Sequence, residues 1–144
     1  MPRHTETRTL PFSPEQLYEL VSDIERYPEF LPWCLGARVL EHKENVITAD
    51  LIIGYKMFRE KFTSIVTLDA PKNISVSYVA GPLSHLKNEW HFEPAKNGAC
   101  ALSFEVDFDF HSPLMRSMME IFFDKALRRM VTAFEQRAVT LYPR

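Results

Sequence analysis

Glycine is scarce in this chain, with 4 among 144 residues. Phosphate-cradling loops of the GxGxxG or P-loop kind need clustered glycines for close backbone approach, and neither pattern occurs. Nucleotide-dependent chemistry is therefore disfavoured. Cysteine is scarcer still: Cys34 and Cys100 lie far apart and in no CxxC spacing, which indicates neither a zinc site nor a redox pair and fits a reducing cytoplasm. No apolar run reaches the roughly 18 residues from which a membrane-crossing helix is read, and the opening MPRHTETRTL has no apolar stretch like that of a signal peptide. Charge of one sign is also lacking. A net −2 argues against coating nucleic acid through bulk charge, while leaving room for a local basic patch. What is abundant is apolar and aromatic: 46% hydrophobic and 12% aromatic residues give one globular domain over 1–144 with a sizeable core.

The only long helical periodicity runs from Ser112 to Leu141. Ser112 suits an N-cap and Pro113 the first helical position, where a missing N–H costs nothing. At 100° per residue, Met115, Met119, Phe122, Phe123, Ala126, Leu127, Met130, Val131, Ala133, Phe134, Ala138 and Leu141 share one broad face. Leu114, Met118 and Ile121 add apolar surface on the opposite side. That end of the helix either packs conventionally, lines a cavity or touches a lipid surface. Lys125, Arg128 and Arg129 lie on the outer side, with Arg137 further along; they form a solvated face or meet anionic lipid headgroups or RNA phosphates.

Ahead of this helix, Arg3 to Leu10 reads as a polar edge strand. Ser13-Pro14-Glu15-Gln16 opens a short helix with a capping box, running to about Ser22. Two prolines then make Asp23 to Cys34 a stiff irregular segment carrying Tyr27, Phe30, Leu31 and Trp33. These side chains either tuck under a sheet or form the rim of a ligand pocket. Six strands follow, at Leu35–Lys43, Val46–Tyr55, Glu60–Asp69, Ile74–Val79, His85–Phe92 and Ala99–Phe110, linked by turns short enough for an antiparallel meander.

Alternation puts Leu102, Phe104, Val106, Phe108 and Phe110 on one face of the last strand, with Glu105, Asp107 and Asp109 on a wet face. The same reading turns Leu86, Asn88, Trp90 and Phe92 inward, with Ile74, Val76 and Tyr78, then Phe62, Ser64, Val66 and Leu68, then Ile47, Leu51, Ile53 and Tyr55. The expected fold is α+β: a curved antiparallel sheet wrapped around the long C-terminal helix, with short N-terminal helices. Asn88 and Ser64 are polar on an otherwise apolar face, and buried polar groups want partners. Either they are satisfied within the core or Asn88 meets a ligand oxygen, with Tyr78 and Trp90 as further donors. Catalysis would need a constellation, and none assembles. His4, His42, His85, His91 and His111 have no metal-ligand spacing, and Cys34 sits in an apolar stretch without a base.

SPEQLYELVSDIERYPEFLPWC (13–34), GPLSHLKNEWHF (81–92) and the helical FxxxxxRMVxAFxxRA (123–138) resemble the coenzyme Q-binding subfamily of START-like, helix-grip proteins, also called polyketide cyclase/dehydrase-like. The resemblance covers nearly the whole chain. It implies a non-enzymatic carrier or chaperone that holds ubiquinone, or a related polyprenyl lipid, between sheet and C-terminal helix in support of respiratory electron transport. Ubiquinone is then a bound ligand, and no catalytic cofactor is implied. Tyr27, Phe30, Leu31, Trp33, Phe62, Tyr78, Asn88, Trp90, Phe104, Met115, Met119 and Phe122 are the expected lining residues. At pocket volumes of roughly 300–1,000 Å³, with an isoprene unit on the order of 150 Å³, about two to six units would be enclosed and a longer tail left outside. That implies work at a membrane surface, on the inner face of a bacterial plasma membrane, by a protein otherwise cytoplasmic; the exposed apolar residues equally suit a homodimer. Mitochondrial members carry a targeting extension, and this chain resembles the bacterial ones. The same subfamily includes bacterial ribosome-association toxins that bind the large subunit, and the motifs quoted are common to both groups. A polyketide cyclase or aromatase is the third alternative, disfavoured by the missing acid/base set.

Overall fold

The computed structural model describes residues 3–55 and 58–142. Chain order runs β1 (Arg3–Leu10), α1 (Pro14–Ser22), a 3-10 helix (Ile24–Glu29), β2 (Cys34–Lys43), β3 (Val46–Tyr55), β4 (Phe58–Asp69), β5 (Asn73–Ala80), β6 (Leu83–Pro94), β7 (Cys100–Phe110) and α2 (Pro113–Leu141). The side chain of Tyr55, expected on the inner face, lies outside the described residues.

Local chemistry starts both α-helices where the sequence indicates. Ser13 Oγ accepts the Gln16 N–H at 3.1 Å and Gln16 Oε1 accepts the Ser13 N–H at 3.0 Å, so two orphan donors of α1 are satisfied reciprocally. Ser112 Oγ accepts the Met115 N–H at 3.3 Å, with Pro113 at the first position of α2. The segment expected to be irregular begins instead as a 3-10 helix over Ile24–Glu29, with Pro28 inside it. Short i→i+3 turns tolerate a proline that would break an α-helix. The chain leaves that turn through Leu31 N–H to Tyr27 O and Cys34 N–H to Leu31 O, both 2.9 Å.

One antiparallel sheet holds seven strands in the order β1-β7-β6-β5-β4-β3-β2. Strands β2 to β7 form the meander that the short turns imply, and β1 pairs with β7 from Arg3 opposite Asp107 to Leu10 opposite Cys100. The two edges are thus the first two strands of the chain, joined by α1 and the 3-10 helix. Register shifts between Cys34 and Gly36, Val39 and Glu41, Thr63 and Ser64, and Leu83 and His85 mark bulges, which bend strands and deepen twist. The curled sheet turns its apolar face to α2. Leu102, Phe104, Val106, Phe108 and Phe110 of β7 are all buried there, against Met119, Phe122, Val131, Phe134 and Ala138 of α2. Leu141 is exposed rather than on the buried face, because Tyr142 takes the inner position at that end, its ring 6.4 Å from that of Phe12.

Three arginines fasten α2 to the rest. Arg8 of β1 donates to Thr132 Oγ1 and Glu135 Oε1, each at 3.0 Å. Arg116 donates to Asp109 Oδ1 at 2.7 and 3.1 Å, and Arg137 bonds Glu29 of the 3-10 helix.

Candidate functional site

Between sheet and helix lies a cavity of about 160 Å³. Aliphatic and aromatic side chains of β3 to β7 form its floor, and Phe122, Phe123, Ala126, Leu127, Met130 and Phe134 of α2 its roof. Tyr27, Leu31 and Trp33 close one side, with Val21 and Ile24. An edge-on aromatic cluster stiffens that wall: Trp90 lies 4.6 Å from Phe104 and 5.1 Å from Phe134, and Tyr27 lies 5.4 Å from Phe134. Such pairs favour edge-to-face packing.

The structure brings eight of the expected lining residues to this cavity: Tyr27, Leu31, Trp33, Phe62, Asn88, Trp90, Phe104 and Phe122. The other four lie elsewhere. Phe30 packs behind the wall, 5.1 Å from Phe134 on one side and 5.2 Å from the Arg137 guanidinium on the other. Tyr78 reaches the β5–β6 turn, where its hydroxyl accepts the Leu83 N–H at 2.8 Å; expected as a donor to a ligand, its oxygen is instead built into the turn. Met115 and Met119 pack in the core beyond the cavity, which starts only at Phe122 and lies under the middle of α2. Sequence periodicity gives the face of a helix and not the position along it, so Phe123, Leu127, Met130 and Phe134 were on the expected face but not among the expected lining residues.

Polar groups on the walls are few. Asn88 Nδ2 donates to Glu105 O at 2.9 Å and Asn88 Oδ1 accepts the Trp90 indole N–H at 3.0 Å. The satisfied-core reading of Asn88 therefore holds for these two bonds, which leave one N–H and one lone pair of its amide. The Tyr27 hydroxyl donates to Val21 O, and burial, then the nearby Cys34 and Asp23, push its pKa up, so it stays protonated. Ser64 differs. It is 8% exposed, lines the cavity, and makes no side-chain hydrogen bond among the described residues. It sits at the Thr63/Ser64 register shift between β4 and β5, and bulges commonly re-aim a side chain beside a functional site.

Among the described residues the walls carry no carboxylate, imidazole or ammonium group. The Cys34 thiol is buried, donates to Gly36 O at 3.5 Å, and burial pushes its pKa up to about 11 against a smaller lowering from the Gly36 backbone. A thiol so held is a poor nucleophile near neutrality. No cluster of His, Cys, Asp and Glu among the described residues is disposed to hold a metal ion. The cavity can therefore bind and orient an apolar group, and its polar groups among the described residues are few and uncharged.

Residues 10–135 match the family described as polyketide cyclase / dehydrase and lipid transport. The chain belongs to that family. Within it, the chain is 35% identical over 133 residues to the ribosome association toxin RatA of Pseudomonas aeruginosa, covering 92% of each chain. It is 34% identical over 145 residues to the mitochondrial coenzyme Q-binding protein COQ10 homolog B of Xenopus laevis, covering 98% of this chain and 59% of that one. A START superfamily protein from Mycobacterium smegmatis has the same fold, with a TM-score of 0.82 over 96% of this chain and 98% of that one at 19% identity. The helix-grip, START-like architecture is thus that of this family member.

Proposed function

We propose that this protein binds the ring of ubiquinone or a related polyprenyl quinone in the cavity and acts as a lipid carrier or chaperone in respiratory electron transport, without catalysing a reaction. One observation carries the reading: an apolar cavity of about 160 Å³ with a Ser64 hydroxyl on its wall that has no partner among the described residues. Apolar protein cavities of about 150 Å³ take a single benzene ring. The volume lies below the range expected from sequence, because aromatic side chains of both layers fill much of the space between sheet and helix. It suits one ring and leaves a polyprenyl tail outside. A quinone carbonyl accepts a hydrogen bond from Ser64 Oγ–H or from the remaining Asn88 N–H. A folded polyketide chain of several rings exceeds this volume, and among the described residues the walls offer no general acid or base.

Titration with a short-tailed ubiquinone, read through Trp33 and Trp90 fluorescence, tests this. Saturable one-to-one binding is expected, weakened in Ser64→Ala by about two- to tenfold, the worth of one neutral hydrogen bond. No saturable binding would overturn the reading.

A second reading rests on the 35% identity to a protein named as a ribosome association toxin. It makes the outer surface functional and the cavity structural. Co-sedimentation with large ribosomal subunits at low salt, unaffected by Ser64→Ala, is its signature.

A further inference from the structure

The outer side of α2 carries large apolar residues that the core does not claim. Leu114 is 69%, Met118 48% and Ile121 69% exposed. At 100° per residue these three share a stripe with Lys125, Arg128 and Arg129, the whole set within about 100° of arc. The apolar residues come first along the axis and the cations next, over about 22 Å of helix from Leu114 to Arg129. Arg128 pairs with Asp124 at 3.0 Å, whereas Lys125 and Arg129 make no ion pair among the described residues. Residues 113–130 hold four cations against two carboxylates, although the whole chain carries −2. The inner side of the same turns is cavity wall, through Phe122, Phe123 and Ala126.

We propose that this stripe docks the protein onto an anionic lipid bilayer, with Leu114, Met118 and Ile121 entering the headgroup–acyl boundary and Lys125, Arg128 and Arg129 meeting lipid phosphates. Apolar side chains beside cations are the arrangement that interfacial helices use, and each cation near an anionic surface adds to the attraction. The cavity wall then lies one helix diameter, about 10 Å, from the membrane. RNA fits the stripe less well. Phosphates would engage the cations and leave exposed leucine and isoleucine with nothing apolar to cover them. A second copy also fits less well, because an antiparallel helix pair centred on Ile121 lays Arg128 of one copy on Leu114 of the other. The docking does not depend on what the cavity holds.

The test is sedimentation of the protein with vesicles of phosphatidylcholine alone or mixed with phosphatidylglycerol, without quinone. Retention by the anionic vesicles, falling steeply with salt, is expected, with little on phosphatidylcholine alone. Ile121→Ser should weaken retention about tenfold through lost apolar burial, and Lys125→Glu with Arg129→Glu by at least as much through charge. Both variants should keep the wild-type melting temperature and short-tailed quinone affinity. Failure of anionic vesicles to retain the protein at low salt overturns the proposal, as does retention unchanged by Ile121→Ser. So does a dimer that Ile121→Ser dissociates, or ribosomal-subunit binding lost in Lys125→Glu/Arg129→Glu while vesicles retain neither protein.

Discussion

Asn88 and Ser64 are both polar residues on the inner face, yet the fold treats them differently. Asn88 holds Trp90 and the β7 backbone, so its first role is structural. Asn88→Leu would strand the buried indole N–H of Trp90. An unsatisfied buried polar group costs about 1–3 kcal/mol. The variant should therefore melt several degrees below wild type in a calorimetric scan, whereas Ser64→Ala should not, since no protein partner of its hydroxyl is lost. Equal melting temperatures for all three proteins would contradict this division of roles. Sequence alternation identified both residues as inward and could not separate them, because hydrogen-bond partners on neighbouring strands depend on register. Tyr78 shows the same limit. Its inward face was legible, but the Gly81 turn that captures its hydroxyl draws it away from the cavity. Gly81 has a φ of +148°, and a Cβ there would come within 2.7 Å of that oxygen.

Helix α2 is the element whose boundaries, cap and face were most legible, because a 29-residue amphipathic pattern between Ser112-Pro113 and the end of the periodicity leaves little freedom. What periodicity could not give is the set of attachments that keep it in the grip of the sheet. Two of these titrate. The Glu29 carboxyl is held below the usual carboxylate range by hydrogen bonds from Arg137 and then Arg26. That of Asp109 is lowered by the Phe110 N–H and then by Arg116. Each carboxylate has a folded pKa below its unfolded one, so its contribution is present above the ordinary range and lost as pH falls through the lowered folded value. Stability should decline as pH drops below about 4, with the low-pH decline shallower in Arg137→Ala. Thermal melts of the two proteins from pH 7 to 3 check this; parallel pH profiles would show that the Arg137–Glu29 attachment does not contribute. Glu29 is exposed to solvent, so added salt should also shrink the difference.

For the whole molecule, the curled sheet, the gripped helix and the aromatic lining followed from strand alternation and turn chemistry, while cavity size did not. Volume is the small remainder after many large side chains are packed, and a shift of one helical turn, as between Met119 and Phe122, changes which residues define it. At about 160 Å³ the interior suits a ring, not a whole polyprenyl lipid. A carrier of this kind must leave the tail in a membrane or partner, which accords with an apolar and basic stripe on the far side of the cavity roof. Occupation of the cavity by a quinone ring is decided by gentle purification from a quinone-containing bacterium, followed by native mass spectrometry and solvent extraction of the same sample. We predict a quinone bound close to one per chain, lost on denaturation and reduced in Ser64→Ala. A wild-type protein that emerges empty, takes up no added quinone and co-sediments with large ribosomal subunits would contradict the account.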